Sequence, residues 1–310
     1  MKIIHHFDTL PTDNRPVFCA IGMFDGVHLG HQSVLNHVIA QAKRYDGISV
    51  ALTFKDHPAD LLTPDRSPTL IYPSSFKQTL FESQGVDLAW IVPFDRKLSQ
   101  LSAEEFVEKI RLYCANLSCI CVGSNFSFGH QRKGNVELLK QCGERDGFNA
   151  EGKPAYSYEA EPVSSTRIRD LIKSGNIDLA SKLIGRPYQL LGQVVRGDGV
   201  GRQLGFPTAN LDSQRLALPP LGVYAITCDV NGERRPGVLN IGKRPTLNQP
   251  KPMLQIEAHF WGIEVDLYGN NLALEIKGKI RNESRFPNLD ALKNQIHKDI
   301  ETAKGMLSSE

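Results

Sequence analysis

The sequence predicts an α/β domain followed by a small β domain with a carboxy-terminal helix. Three observations carry this. Short apolar runs alternate with stretches of helical spacing over residues 1–184, the rhythm of a parallel sheet with crossover helices. After Pro187 the runs become β-like and are separated by Gly, Pro and Asn-Gly turns, as in a small barrel or sandwich. From Leu289 helical spacing returns through Leu292, Ile296 and Ile300. At 310 residues two domains are expected, 1–184 and 185–310.

Taken in order, "VFCAIGMF" (17–24) reads as a buried strand closed by the Asp25-Gly26 turn signal. A helix from about 31 to 45 follows, with Val34, Leu35, Val38, Ile39 and Ala42 on one face. Then come "ISVALTF" (48–54), a helix near 74–84, "LAWIVPF" (88–94), a helix near 103–115 and "CICVG" (119–123). "SSTRIRDLIKSGNIDLASKLIGRPY" (164–188) reads as two short helices ending at Gly185. The β-like runs beyond are "YQLLGQVV", "GVYAITCDVNG", "RPGVLNIG", "MLQIEAHFW" and "NLALEIKGKI".

The 36 basic and 34 acidic residues give a net charge of +2, divided as −1 over residues 1–184 and +3 over 185–310. Neither half has the basic excess of a nucleic-acid binder, so no nucleic acid is expected as partner. The start "MKIIHHFDTL" has no apolar leader core, and no run approaches the ~18 apolar residues of a membrane span. A cytoplasmic protein without membrane association is expected; protein partners stay undetermined. The six cysteines form no disulfide framework; Cys119 and Cys121, in an apolar run, are expected to be buried thiols.

"FDGVHLGH" (24–31) places His28 and His31 at a strand-to-helix junction, where free N–H groups and the helix dipole favour an anion. The pair admits three readings: metal ligands, surface polar residues, or cations for a phosphate. No further His/Cys/Asp cluster of suitable spacing lies nearby for a metal. The phosphate reading has its parts adjacent: a strand end, a tight turn, Gly30 permitting close approach, and a first helical turn carrying both histidines on one side. No Walker pattern and no GxGxxG occurs in this half. The HxGH pattern resembles the signature of HIGH-type nucleotidyltransferases, Rossmann-like domains in which the histidines stabilise charge as the α-phosphate of ATP is attacked and pyrophosphate leaves.

In "SSTRIRDLI" (164–172), Ser165 and Thr166 can cap the following helix and Arg169 can pair with phosphate; an ordinary capped helix with solvent arginines is the alternative. In "GDGVGRQLGFPTANL" (197–211), Gly197, Gly199 and Gly201 let backbone N–H groups approach a phosphate chain, with Arg202 beside them. Thr208 and Asn210, two apart on an extended segment, put two oxygen ligands on one side, which suits Mg²⁺; a plain hairpin would carry the same residues. Glu257 alternates with Ile256 and Ala258 and so faces away from both, like any solvent-facing strand glutamate.

Together these segments, with "TFKDHP" (53–58), "GSNFSFGHQRKG" (123–134), "GVYAI" (222–226), "NIGKRPT" (240–246), "IEAHF" (256–260), "DLYG" (266–269) and "IRNESRFPNLDALKNQIHKD" (280–299), resemble the prokaryotic bifunctional riboflavin kinase/FMN adenylyltransferases, or FAD synthetases, over essentially the whole chain. The resemblance implies a Rossmann-like adenylyltransferase followed by a small antiparallel β-barrel kinase. Riboflavin and ATP would give FMN, and FMN and ATP would give FAD, both with Mg²⁺. It implies His28 and His31 as catalytic and Gly22, Phe24, Gly30, Asn125, Ser165, Thr166 and Arg169 as nucleotide-binding in the first half. In the second it implies Gly197, Gly199, Gly201 and Arg202 as nucleotide-binding, Thr208 and Asn210 as metal ligands, Glu257 as general base toward the ribityl 5′-hydroxyl, and Arg281 as flavin-contacting. The chain departs from the family pattern at Phe76, Ser124 and Ser127, where acidic or basic residues are common. Two rivals remain: a kinase whose first domain only binds nucleotide, and a flavin-binding regulator on an inactive scaffold. A pure binder would need neither a base nor metal ligands.

Overall fold

The computed structural model describes residues 1–8, 10–11, 13–197, 199–213, 215–244, 253–262 and 267–308. Asp198 of the glycine loop, Pro245 and Thr246 of "NIGKRPT" and Asp266 of "DLYG" lie outside the described residues. The chain divides into two compact units, Met1–Ile168 with Leu183–Gly185, and Arg169–Lys182 with Arg186–Glu310.

The first unit holds strands β1 (Lys2–His5), β2 (Val17–Ile21), β3 (Ile48–Phe54), β4 (Leu88–Val92), β5 (Leu117–Gly123) and β6 (Asn149–Lys153). They form one sheet of order β1-β4-β3-β2-β5-β6, parallel at every pairing. The connecting helices are α1 (Leu29–Arg44), α2 (Pro58–Leu62), α3 (Phe76–Gln84), α4 (Arg96–Gln100), α5 (Ala103–Tyr113) and α6 (Val136–Asp146). Strands β2 and β4 are buried along their whole length, as parallel sheets require. Helix α1 buries Val34, Leu35, Val38, Ile39 and Ala42, the stripe its spacing predicts, though it begins at Leu29 rather than near 31. A capping box between Ser102 and Glu105 starts α5, worth about 1 kcal/mol.

The strand order has a functional consequence. The chain leaves β2 toward β3 on one side, and β5 joins on the other. The carboxyl end of β2 is therefore a topological switch point, where open α/β sheets bind ligands. The "FDGVHLGH" turn begins three residues after that end.

A short pair, β7 (Ser157–Tyr158) and β8 (Glu161–Pro162), precedes α7 (Ser165–Ser174) and α8 (Ile177–Ile184). In the second unit β9 (Gln189–Val195), β10 (Ala209–Asp212), β11 (Gly222–Val230), β12 (Glu233–Arg244), β13 (Met253–Phe260) and β14 (Asn271–Arg281) close an antiparallel barrel of order β10-β13-β12-β11-β14-β9. The sequence left barrel and sandwich open; closure decides for the barrel and leaves no unpaired sheet edge. One helical turn, α9 (Val200–Gln203), sits in the glycine loop. The last helix, α10 (Leu289–Leu307), is capped by Asn288 and packs Ile300 and Ala303 against Val223, Ala225 and Val238 of the barrel. All six cysteines are free and buried, and burial pushes the Cys119 and Cys121 thiols up to about 12.

Candidate active sites

In the first unit the segment from Phe24 to His28 makes a tight turn that only dense packing holds. Phe24, Gly26 and Val27 all have positive φ (50°, 78° and 39°). For a β-branched valine this is an outlier, and such residues cost of order 1–3 kcal/mol each. A Cβ on Gly26 would lie 2.8 Å from Ile71 Cδ1, so the turn needs glycine there on both counts. Asp25 is buried and accepts a hydrogen bond from the Ile71 N–H at 3.0 Å. The Ser165 hydroxyl donates to the Asp25 carbonyl at 3.1 Å.

His28 is the N-cap of α1, not part of its first turn: its Nδ1 accepts from the His31 N–H at 3.4 Å. The two imidazoles stack with centroids 3.6 Å apart. Phe24 packs edge-on against His31 at 5.3 Å and against Phe81 at 5.4 Å, which fixes the His31 ring from behind. His31 Nδ1 is buried and has no hydrogen-bond partner. Burial first, then His28 and then Lys77 hold His31 well below the ordinary histidine range, so it is neutral at pH 7. The expectation of two cations thus needs correction for the resting protein: stacked imidazoles cannot both hold a proton cheaply without an anion beside them.

Gly22 donates its N–H to the Leu52 carbonyl as β2 ends, and Gly30 lies beside the His28 ring. Asn125 is exposed in the turn after β5, the strand next to β2, and so sits at the same end of the sheet. The predicted capping by Ser165 and Thr166 is not what forms. Ser164 Oγ takes the Arg167 N–H at 3.2 Å, which leaves Ser165 for Asp25 and Thr166 exposed. Arg169 lies on α7 within the second unit. Of the departures, Phe76 packs against Tyr72, and Ser127 accepts from Arg132 Nε at 2.8 Å.

In the barrel, β10 alternates: Ala209 and Leu211 are buried while Asn210 is half-buried on the other side. On β13 Ile256, Ala258 and Phe260 are buried, and Glu257 and His259 take the opposite face. Asn210 pairs in register with Glu257, and Glu257 with Asn240 of β12. Thr208, Asn240, Glu257, His259 and Arg281 line one pocket of about 350 Å³, closed on its apolar side by Phe206, Phe286 and Ile296. The volume lies in the range of small-molecule sites. Gly197 lies directly on the Asn210 amide, and a Cβ on Gly201 would stand 3.0 Å from Thr208 Oγ1. The glycine loop is thus laid against the two oxygen-bearing residues. Gly199 has φ 71°, and Arg202, in α9, is exposed.

Arg281 is at the pocket but is already engaged. Its Nε and Nη2 donate to the buried Asp299 at 2.9 and 2.8 Å, Nη1 donates to the Asn282 carbonyl, and Gln295 completes the Asp299 shell.

Comparison with known proteins agrees with both halves. A FAD synthetase family model matches residues 10–167 and a riboflavin kinase family model matches residues 184–307. The bifunctional riboflavin kinase/FMN adenylyltransferase of Haemophilus influenzae is 36% identical over 93% of this chain and 94% of its own. This chain belongs to the bifunctional riboflavin kinase/FMN adenylyltransferase family. The Pseudomonas fluorescens and Escherichia coli K12 relatives are each 34% identical, over 99% and 97% of this chain and 98% and 95% of theirs. A solved Streptococcus pneumoniae structure described as a macrolide-efflux protein superposes with TM-score 0.81 at 26% identity, over 98% of this chain and 99% of that one. Among the described residues no helix is long and apolar enough to cross a membrane.

The family's two activities are ATP-dependent phosphorylation of riboflavin and adenylylation of FMN, with a divalent metal as ATP's companion. Sequence reading missed Asp25, Lys77, Asn240 and Asp299 at these sites. Lys77 left one signal: it lies with Leu80 and Phe81 on the buried stripe of α3, where a lysine is out of place.

Proposed function

We propose that the two activities are divided between the halves at the Gly185 break, with residues 1–184 forming FAD and 185–310 forming FMN. In the first half an FMN phosphate oxygen attacks the α-phosphorus of ATP and pyrophosphate leaves. His28 and His31 stabilise the charge that develops, each imidazole becoming a better donor as the anion arrives. Phe24 fixes the His31 ring. Gly22, Gly30, Asn125, Ser165 and Thr166 hold the nucleotide.

In the second half Glu257 takes the proton of the ribityl 5′-hydroxyl as that oxygen attacks the γ-phosphorus, and ADP leaves. Gly197, Gly199, Gly201 and Arg202 cradle the phosphates. Thr208 and Asn210 offer a hydroxyl and an amide oxygen side by side, a donor set suited to Mg²⁺. When bound, that ion supplies charge neutralisation between the phosphates. Arg281, held by Asp299, orients one wall of the flavin pocket. The observation that carries this reading is the register match of Asn210 with Glu257, which lines the pocket together with Thr208, and the glycine loop laid against Asn210. A cytoplasmic location accords with the free cysteines.

Chromatography that follows riboflavin, FMN and FAD in single-residue variants tests the assignment. His31→Ala should lose FAD formation and keep FMN formation. Loss of both in a folded protein would refute the division.

A further inference from the structure

Lys77 is 5% exposed, yet among the described residues its side chain makes one hydrogen bond, from Nζ to the Phe54 carbonyl at 3.0 Å, and no ion pair. Phe54 ends β3, beside β2, and α3 packs against the Asp25–Val27 turn. The amine therefore lies at the carboxyl ends of the central strands, near His31, whose pKa its charge helps to lower. A buried ammonium with two free N–H bonds and no contacting carboxylate is costly, and folds seldom keep one without use. Its surroundings are mixed: Asp25 and Asp56 attract it from a distance, while His31, next to His28, would repel it if charged. Burial outweighs the two aspartates and brings its pKa down to about 8.

We propose that Lys77 is a further charge-bearing residue of the adenylyl-transfer site, its ammonium completed by a phosphate oxygen of the bound nucleotide. This rests on the placement of that site at His28 and His31. Near pH 8 the free protein carries the amine partly neutral. An arriving polyphosphate supplies the missing counter-charge, so Lys77 takes up a proton from solvent as the nucleotide binds. A lysine that merely anchors Phe54 would do none of this.

The test begins with the full-length protein: calorimetric ATP titrations at pH 9 in buffers of different ionisation enthalpy, before and after Lys77→Met. Proton uptake is expected in the parent and should be lost in Lys77→Met. In that variant FAD formation from FMN should fall by about 10²-fold, the usual effect of removing one preorganised charge. Its thermal midpoint at pH 7 should be unchanged or higher, because a buried charge has been removed. Absence of proton uptake in the parent overturns the proposal. So does FAD formation within threefold of the parent, or a lowered midpoint with uptake retained. If methionine does not fold, Lys77→Arg stays charged at pH 9; it should abolish the uptake, and persistent uptake there overturns the proposal equally. His31→Ala separates the two readings. If it slows FAD formation while Lys77→Met does not, only the lysine proposal fails; if neither matters, the site placement fails.

Discussion

The turn after β2 and the loop before β10 are both proposed to meet the phosphates of ATP, yet they offer different atoms. The first presents nitrogen: two stacked imidazoles and a buried amine, on a turn with three positive-φ residues in four. The second presents backbone and oxygen: glycines laid on Asn210 and Thr208, with Glu257 across the next strand. The difference matches the chemistry. Adenylyl transfer develops charge on phosphorus oxygens and needs donors, whereas a hydroxyl nucleophile needs a base. His31 is held uncharged at rest, so the imidazole half of the first site acts as a neutral donor until an anion arrives.

The largest effect expected is at Glu257. Glutamine keeps its shape and cannot take the proton, so Glu257→Gln should lower FMN formation by about 10²–10⁴ with little change in riboflavin or ATP binding. Stopped assays at saturating substrates check this. His28→Ala and His31→Ala should each lower FAD formation by about 10²–10³, measured with FMN supplied. A comparable loss of FMN formation in either would break the contrast between the sites.

Asp299→Ala leaves the Arg281 guanidinium without its buried partner and should destabilise the barrel by on the order of 3 kcal/mol in chemical denaturation. Asn210→Ala should weaken the apparent Mg²⁺ affinity of the kinase by at least about 10-fold, with partial rescue at high Mg²⁺. An unchanged Mg²⁺ dependence would remove Asn210 from the ligand set.

The smallest effect is one of pH. The folded His31 pKa lies below its unfolded value, so between pH 6.5 and that lowered value the unfolded chain binds more protons. Stability should therefore fall as pH drops below 6.5, and His31→Gln should flatten part of that fall in thermal melts across pH 5–7.

Much of both sites was legible in the sequence because it is local. The α1 stripe, the histidine pair and the alternation around Asn210 and Glu257 follow from spacing alone. Strands β1 and β6 were not legible: four of their nine residues are exposed and only Ala150 is buried, so neither carries an apolar run. They exist because a neighbouring strand offers its edge. The cap at Ser164 was misread by one residue, since Ser164, Ser165 and Thr166 are chemically equivalent until Asp25 claims one hydroxyl. Asp299 was invisible because its partner lies 18 residues away on another element.

The central claim is that the two chemistries occupy separate residue sets. It is tested most directly by one chromatographic time course of riboflavin, FMN and FAD, run on Glu257→Gln and His31→Ala side by side. A crossed pattern is predicted: Glu257→Gln makes FAD from supplied FMN at near the parent rate but little FMN, and His31→Ala makes FMN but little FAD. Either folded variant losing both activities, or keeping both within about threefold, a barrier change of only ~0.7 kcal/mol, would contradict it.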